Sequence, residues 1–339
     1  MDKLFYFDCL SPNEHTAANK AVEDVKSILQ TLGARPLPAF ENKIPSLFRS
    51  IFALILCPSR SVFLLQLPID FLSRVTYFAI AFLKRVKHIK VIALIHDIDE
   101  LRNKPLFYER ETYWRHLMHV ADAYIVHNSR MSEWMIQNHN IPRDRLTSLD
   151  LFDYLYSGTL PRQGDSVAIA GSLARDKCPY IYSLKNIPDV QWNLFGPNCE
   201  VNQCTSANVR YAGVLPPHEL TAKLEARFGL IWDGDSVDTC SGPHGEYLRY
   251  NNPHKLSLYL ASGLPVIVWC ESAVADFVQR HNVGLSVRSL HEVPGRLNSL
   301  SNDDYAHMRH AAAELGKKAR EGGFLKAALK RAYDKASKM

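Results

Sequence analysis

Long hydrophobic runs are missing from this chain. Between Ile44 and Leu83 the sequence is strongly apolar, yet Arg49, Arg60, Asp70, Arg74 and Lys84 divide it into stretches of at most ten residues. A bilayer span needs about 20, so buried helices and strands of an α/β domain are the economical reading. No leading apolar segment resembles a signal peptide, because Asp2, Lys3 and Asp8 interrupt the run over 4–7. Cysteines are few and odd in number, seven, with no C-x-x-C pair. That pattern argues for free thiols in a reducing compartment, and Cys199 with Cys204, lacking a second Cys/His pair, does not make a zinc site. A cytoplasmic protein is expected. Also absent are a G-x-G-x-x-G fingerprint and a Walker loop, which removes the main support for a dinucleotide cofactor or a P-loop nucleotide site. Charge of one sign is weak too: 40 Lys and Arg oppose 35 Asp and Glu, and residues 317–339 alone carry eight basic and two acidic side chains, leaving the rest at −1. Attraction to nucleic acid is not indicated.

What is present is an alternation of short apolar runs with longer amphipathic ones. Runs at 4–7, 62–67, 91–95 and 123–126 predict strands, separated by helical patterns near 15–32, 45–57, 70–87, 106–121 and 129–138. Tyr, Ser, Gly, Thr, Pro, Gln and Asp then crowd 153–165, as in an interdomain linker. The pattern restarts with strands expected at 167–170, 190–195, 209–211, 228–232, 266–268 and 285–287. Helices are expected at 177–184, 217–226, 253–262, 273–281, 302–320 and 324–337. Parallel strands with right-handed crossovers follow, giving an α/β fold of two doubly wound lobes. The expected division is 1–155, 165–315 and a basic helix over 316–339 that packs on a lobe through Leu325, Ala328, Leu329 and Ala332.

The segment 228–268, FGLIWDGDSVDTCSGPHGEYLRYNNPHKLSLYLASGLPVIV, carries the most chemistry. A buried strand delivers Asp233, Gly234 and Asp235 to the sheet edge where open α/β sheets bind ligands. Pro253 suits the first turn of a helix, which places Lys255 near a helix amino terminus. Amide N–H groups and an ammonium converging there form a receptor for phosphate. The turn Gly171-Ser172-Leu173-Ala174-Arg175-Asp176-Lys177 follows another strand, and its small residues admit a diphosphate that Arg175 or Lys177 can neutralise. Gly196 ends the next strand in a tight turn.

This wording, with NNPHKLSLYLASGLPVIV at its centre, resembles the donor half of GT-B glycosyltransferases. It is most similar to the bacterial galactofuranosyltransferase and beta-1,3-glucosyltransferase family, glucosyltransferase 3-like. The likeness runs from Phe5 to about Leu290 and is densest over 228–290. It implies two Rossmann-like lobes with a cleft between them, an acceptor-binding first lobe and a nucleotide-sugar-binding second lobe. It further implies that Tyr211 and Leu215 lie near a uracil, that the terminal helix crosses back to the first lobe, and that transfer inverts the anomeric centre.

Proton removal from an acceptor hydroxyl needs a carboxylate or imidazole. Asp97, His96 and His15 are the candidates of the first lobe, Asp97 preferred for its place at a strand end. The long polar loop bearing Asp235, Ser241, His244 and Glu246, followed by Asn252, suits recognition of sugar hydroxyls. The reading is a hexosyltransferase, moving galactofuranose or glucose from a UDP-sugar to a lipid- or protein-linked glycan without metal or other cofactor. The strings Asp97-Ile98-Asp99 and Asp233-Gly234-Asp235 keep a metal-dependent GT-A transferase as an alternative. A nucleotide-sugar epimerase or hydrolase and a two-lobed binding protein are the others. The basic cluster Lys84, Arg85, Lys87 and Lys90 is compatible with peripheral membrane contact, and a homo-oligomer is equally compatible with the sequence.

Overall fold

Strands that are apolar at consecutive positions need cover on both faces, and the architecture supplies it twice. The computed structural model describes residues 3–7, 17–38, 52–68, 74–102 and 120–338. In the first sheet, β1 (Leu4–Phe7), β2 (Arg35–Leu37), β3 (Val62–Leu67), β4 (Lys90–Ile95), β5 (Ala123–Val126) and β6 (Leu146–Ser148) stand in the order β2-β1-β3-β4-β5-β6. Every pairing is parallel. All six residues of β3 are buried, and its Phe63 and Leu65 join Val91, Ala93, Tyr124 and Met131 in one core cluster. The helix Ser129–His139 starts where Asn128 Oδ1 accepts from Met131 N–H at 3.0 Å and ends where Asn140 adopts a left-handed φ of 53°. Asn128 is thus a helix cap.

The second sheet repeats the plan. Its strands β7 (Val167–Ala170), β8 (Trp192–Phe195), β9 (Val209–Gly213), β10 (Phe228–Ile231), β11 (Val266–Trp269) and β12 (Gly284–Val287) run in the order β12-β11-β10-β7-β8-β9, again all parallel. Trp192, Trp232, Trp269, Tyr180 and Tyr259 are its largest fully buried side chains.

Several expected boundaries shift. β2 and β6 were not expected, because three-residue edge strands show no periodicity and exist only through their neighbours. The segment expected as an α-helix over 177–184 is a 3-10 helix, Pro179–Asn186. The helix expected to reach 226 stops at Lys223, where Leu224 and Ala226 become fully buried. The loop after β10 contains a short helix, Gly242–Tyr247. The expected helix over 106–121, apart from its end, most of that over 45–57, and His15 lie outside the described residues.

By contacts the chain divides into two units. One holds Ala18–Leu149 and Phe324–Met339, and the other holds Asp150–Gly323. The C-terminal helix Gly323–Ser337 lies against β6 of its unit: Arg331 donates to Ser148 O at 2.8 Å and Lys335 to Leu146 O. The segment after Leu149 has no regular structure, yet Phe152 and Tyr154 are buried and their rings lie 6.0 and 5.3 Å from that of His254. Among the described residues no helix is long and apolar enough to cross a membrane.

Candidate functional site

Six parallel strands present their carboxyl ends along one edge of the second sheet, and glycine turns gather there. The chain leaves β7 at Gly171 (φ 131°), leaves β8 at Gly196 (φ 139°) and ends β9 at Gly213 (φ 92°), all conformations closed to most side chains. Gly171 N–H donates to Phe195 O at 3.0 Å and Gly196 N–H to Gly213 O at 2.9 Å. A Cβ on Gly196 would stand 1.8 Å from Gly171 O, so the two turns touch backbone to backbone. Tyr211 hydroxyl donates to Gly196 O at 3.0 Å, and half-buried Leu215 follows two residues past Gly213.

Lys255 reaches this edge from the second position of the helix His254–Ala261. Its Nζ lies 2.8 Å from Asp233 Oδ1 and 3.3 Å from Trp232 O, with both side chains of the pair only 13% and 11% exposed. A Cβ on Gly171 would meet its Cε at 3.3 Å, so the lysine stem passes directly over that turn. An ammonium, a helix start and an open glycine turn therefore converge, the arrangement that binds phosphate oxygens. Burial pushes the Cys178 thiol up to about 11 and the Cys240 thiol higher still. Both stay neutral near pH 7.

Tyr259 completes the support and was not singled out from the sequence. Its hydroxyl accepts from Ala170 N–H at 2.8 Å, and its ring occupies the space over Gly229, where a Cβ would come within 2.2 Å. A glycine inside an apolar strand was the available signal.

The other expected binding residues sit in different surroundings. Ser172 Oγ accepts from Asn198 Nδ2 at 3.2 Å. Arg175 turns to the surface, donates to Glu200 Oε1 at 3.2 Å and to Gln203, and stacks 4.3 Å over the Tyr182 ring. Lys177 is half-buried, and its carbonyl accepts from Gly234 N–H at 3.4 Å. Asp235 is exposed, with its carboxylate where a Cβ on Gly242 would fall, 2.4 Å from Oδ2. Glu246 accepts from Arg249 at 2.7 Å, and Arg249 also binds Glu271 and lies 4.5 Å over Trp269. Asn252 is buried and donates to Asp150 O at 2.9 Å, which ties the first residue of its unit to the loop before Lys255.

In the first unit a second polar group stands at the carboxyl ends of β3, β4 and β5. His96 Nε2 lies 2.7 Å from Gln66 Oε1, and His127 Nε2 donates to His96 O at 3.0 Å. Burial lowers both imidazoles to about 4, so both are neutral near pH 7. Asp97 is 30% exposed and accepts from Arg102 at 2.8 Å. Among the described residues no group of three or more His, Cys, Asp or Glu is arranged to hold a metal ion.

Comparison with known proteins decides the family. The model of the glucosyltransferase 3-like N-terminal domain matches residues 6–150, and that of the glucosyltransferase 3-like C-terminal domain matches 167–332. The chain belongs to the glucosyltransferase 3-like family. Beta-1,6-galactofuranosyltransferase WbbI of Escherichia coli is 29% identical to it over 94% of this chain and 93% of that protein. Glucosyltransferase 3 of Streptococcus gordonii is 27% identical over 74% and 73%. Among solved structures, Anabaena HepE in complex with UDP and glucose superposes with a TM-score of 0.62 at 12% identity, covering 99% of this chain and 100% of that one. The fold of this glucosyltransferase 3-like protein is GT-B. The fold speaks against the GT-A transferase suggested by the D-x-D strings, and the family supports a glycosyltransferase rather than the epimerase or hydrolase of GT-B-like fold.

Proposed function

We propose that this family member is an inverting hexosyltransferase that moves a galactofuranosyl or glucosyl residue from a UDP-sugar to a hydroxyl of a lipid- or protein-linked glycan in the cytoplasm. The carrying observation is the convergence of Lys255 with the Gly171 and Gly196 turns at the sheet edge. The names of WbbI, glucosyltransferase 3 and UDP-bound HepE support the donor and the hexose.

The bond to break joins the anomeric carbon to the diphosphate. As it breaks, negative charge grows on the phosphate oxygens, and the Lys255 ammonium with the amides of its helix start stabilises that charge. Lys177 adds a second positive charge from the same turn. Arg175, engaged by Glu200 and Gln203, joins only by leaving them. Tyr211 fixes the Gly196 carbonyl and, with Leu215, borders the uracil. Asp235, Glu246 and the loop they occupy face the hexose hydroxyls. Asp97 takes the acceptor proton: its carboxylate keeps 30% exposure at a strand end, whereas desolvation makes the His96 imidazole a weak base.

Metal is not required in this scheme, because the ammonium groups of Lys255 and Lys177 offset the charge of the leaving diphosphate. Calorimetric titration with UDP, GDP and uridine, each with and without EDTA, tests the reading. UDP is expected to bind more tightly than GDP or uridine, with an affinity the chelator leaves unchanged. Binding only on addition of manganese, or equal affinity for UDP and uridine, overturns it.

A further inference from the structure

Among the described residues, most of the large apolar side chains standing more than a third exposed lie in one place outside the site. Phe52, Ile55 and Leu56 on the helical stretch 52–56, and Phe78, Phe82 and Val86 on the helix Arg74–Lys87, are each 53–65% exposed. The spacing 78, 82, 86 puts three of them on one helix face, while Ile80 and Leu83 on the opposite side enter the sheet core. Lys87 Nζ donates to Ile55 O and to Cys57 O, which ties the end of the second helix to the first and brings the two sets of exposed side chains to one side of the unit. A contiguous apolar surface of this kind marks an interaction site.

Charge identifies the occupant. Residues 52–68 and 74–95 contain no Asp or Glu, against Arg60, Arg74, Arg85, Lys87 and Lys90, besides Lys84, which is paired with Asp122 at 2.9 Å; Asp70 is the one acidic residue of the intervening sequence. Arg60 and Arg85 are exposed, and exposed Lys3 is tied to this region by its bond to Ser59 O at 3.1 Å. A second copy of the chain would bring the same basic rim against itself, and a like-charge contact is costly. An anionic bilayer surface answers both features, since acyl chains take the aromatic and aliphatic tips and phosphates take the rim.

We propose that this patch seats the first unit on a membrane rich in anionic phospholipid. The proposal is independent of the donor chemistry above. Vesicle flotation tests it, with phosphatidylglycerol-containing vesicles, with phosphatidylcholine alone, and at low and high salt. The full chain is expected to float with the anionic vesicles, to release at high salt, and to bind phosphatidylcholine only weakly. The variant Phe78→Ser/Phe82→Ser should lose roughly tenfold or more of its partitioning, and Arg60→Glu/Arg85→Glu should lose binding to the anionic vesicles alone. Both pairs are exposed, so melting temperature and UDP affinity should not change, which separates failure here from failure of the donor reading. Flotation of the Ser variant equal to that of the parent overturns the proposal. So does an assembled form in ultracentrifugation that Phe78→Ser/Phe82→Ser converts to monomer while vesicles go unbound, because the surface then joins copies of the chain.

Discussion

Replacing Lys255 separates the two tasks its ammonium performs. In the free protein it neutralises Asp233 across 2.8 Å, with both side chains about nine-tenths buried. With donor bound it is assigned to the diphosphate. A charge-assisted hydrogen bond contributes about 1.5–3 kcal/mol, so Lys255→Met should weaken UDP binding, and lower kcat/KM, by roughly 2 kcal/mol or about thirtyfold. The same change strands the Asp233 carboxylate, and removing one partner of a buried pair costs on the order of 3 kcal/mol of stability. The double variant Lys255→Met/Asp233→Asn removes both charges together. It should regain most of the stability, read by thermal melting, while UDP affinity in titration calorimetry stays near the thirtyfold loss. Uridine, which has no phosphate, should bind all three proteins alike. The reasoning is refuted if the double variant binds UDP within about threefold of the parent, because Lys255 would then serve only to hold Asp233.

Four further expectations follow from the geometry. Gly196→Ala forces a Cβ to 1.8 Å from Gly171 O at a φ of 139° and should cost several kcal/mol, on the order of 3, together with measurable UDP binding. Tyr259→Phe leaves the Ala170 N–H at the end of β7 without its partner, and a melting temperature unchanged from the parent would contradict the assigned bond, which is worth about 1–3 kcal/mol. Asp97→Asn should reduce transfer by roughly a hundredfold or more with UDP affinity intact; a parallel loss of both would make Asp97 structural. His96 and His127 are lowered to about 4 from 6.5, so between these values the unfolded chain binds protons that the folded chain refuses. Their joint contribution to stability is complete above pH 6.5 and is lost as pH falls toward 4. Melting followed across that window should be shallower for His127→Gln than for the parent, and identical slopes would remove the assignment.

Much of the fold is legible in the sequence because its strands are short, apolar and bounded by glycine or polar residues. The runs at 4–7, 62–67, 123–126 and 167–170 coincide with β1, β3, β5 and β7, since a strand buried on both faces has no other composition open to it. The helix Asn302–Arg320 also matches its expected span, with Ser301 as an N-cap whose hydroxyl accepts from Asp304 N–H. The site is legible in part for the same local reason. Glycines at strand ends and a lysine just inside a helix are recognisable without knowing what they face.

By itself the sequence determined two βα alternations, the turns at Gly171 and Gly196, and the placement of Lys255 at a helix start. Those depend on backbone conformation within a few residues. Only the tertiary structure decided the pairings: Lys255 with Asp233 across 22 positions, Arg175 drawn away to Glu200 across 25, Asn252 to Asp150 across 102, and Tyr259 to Ala170 across 89. It likewise created β2 and β6, which gain strand character from a neighbour's ladder, and set the last helix against β6. Side-chain charge and length are written locally, but which partner stands within hydrogen-bond reach is fixed by how the sheet orders its strands, and no local signal carries that order.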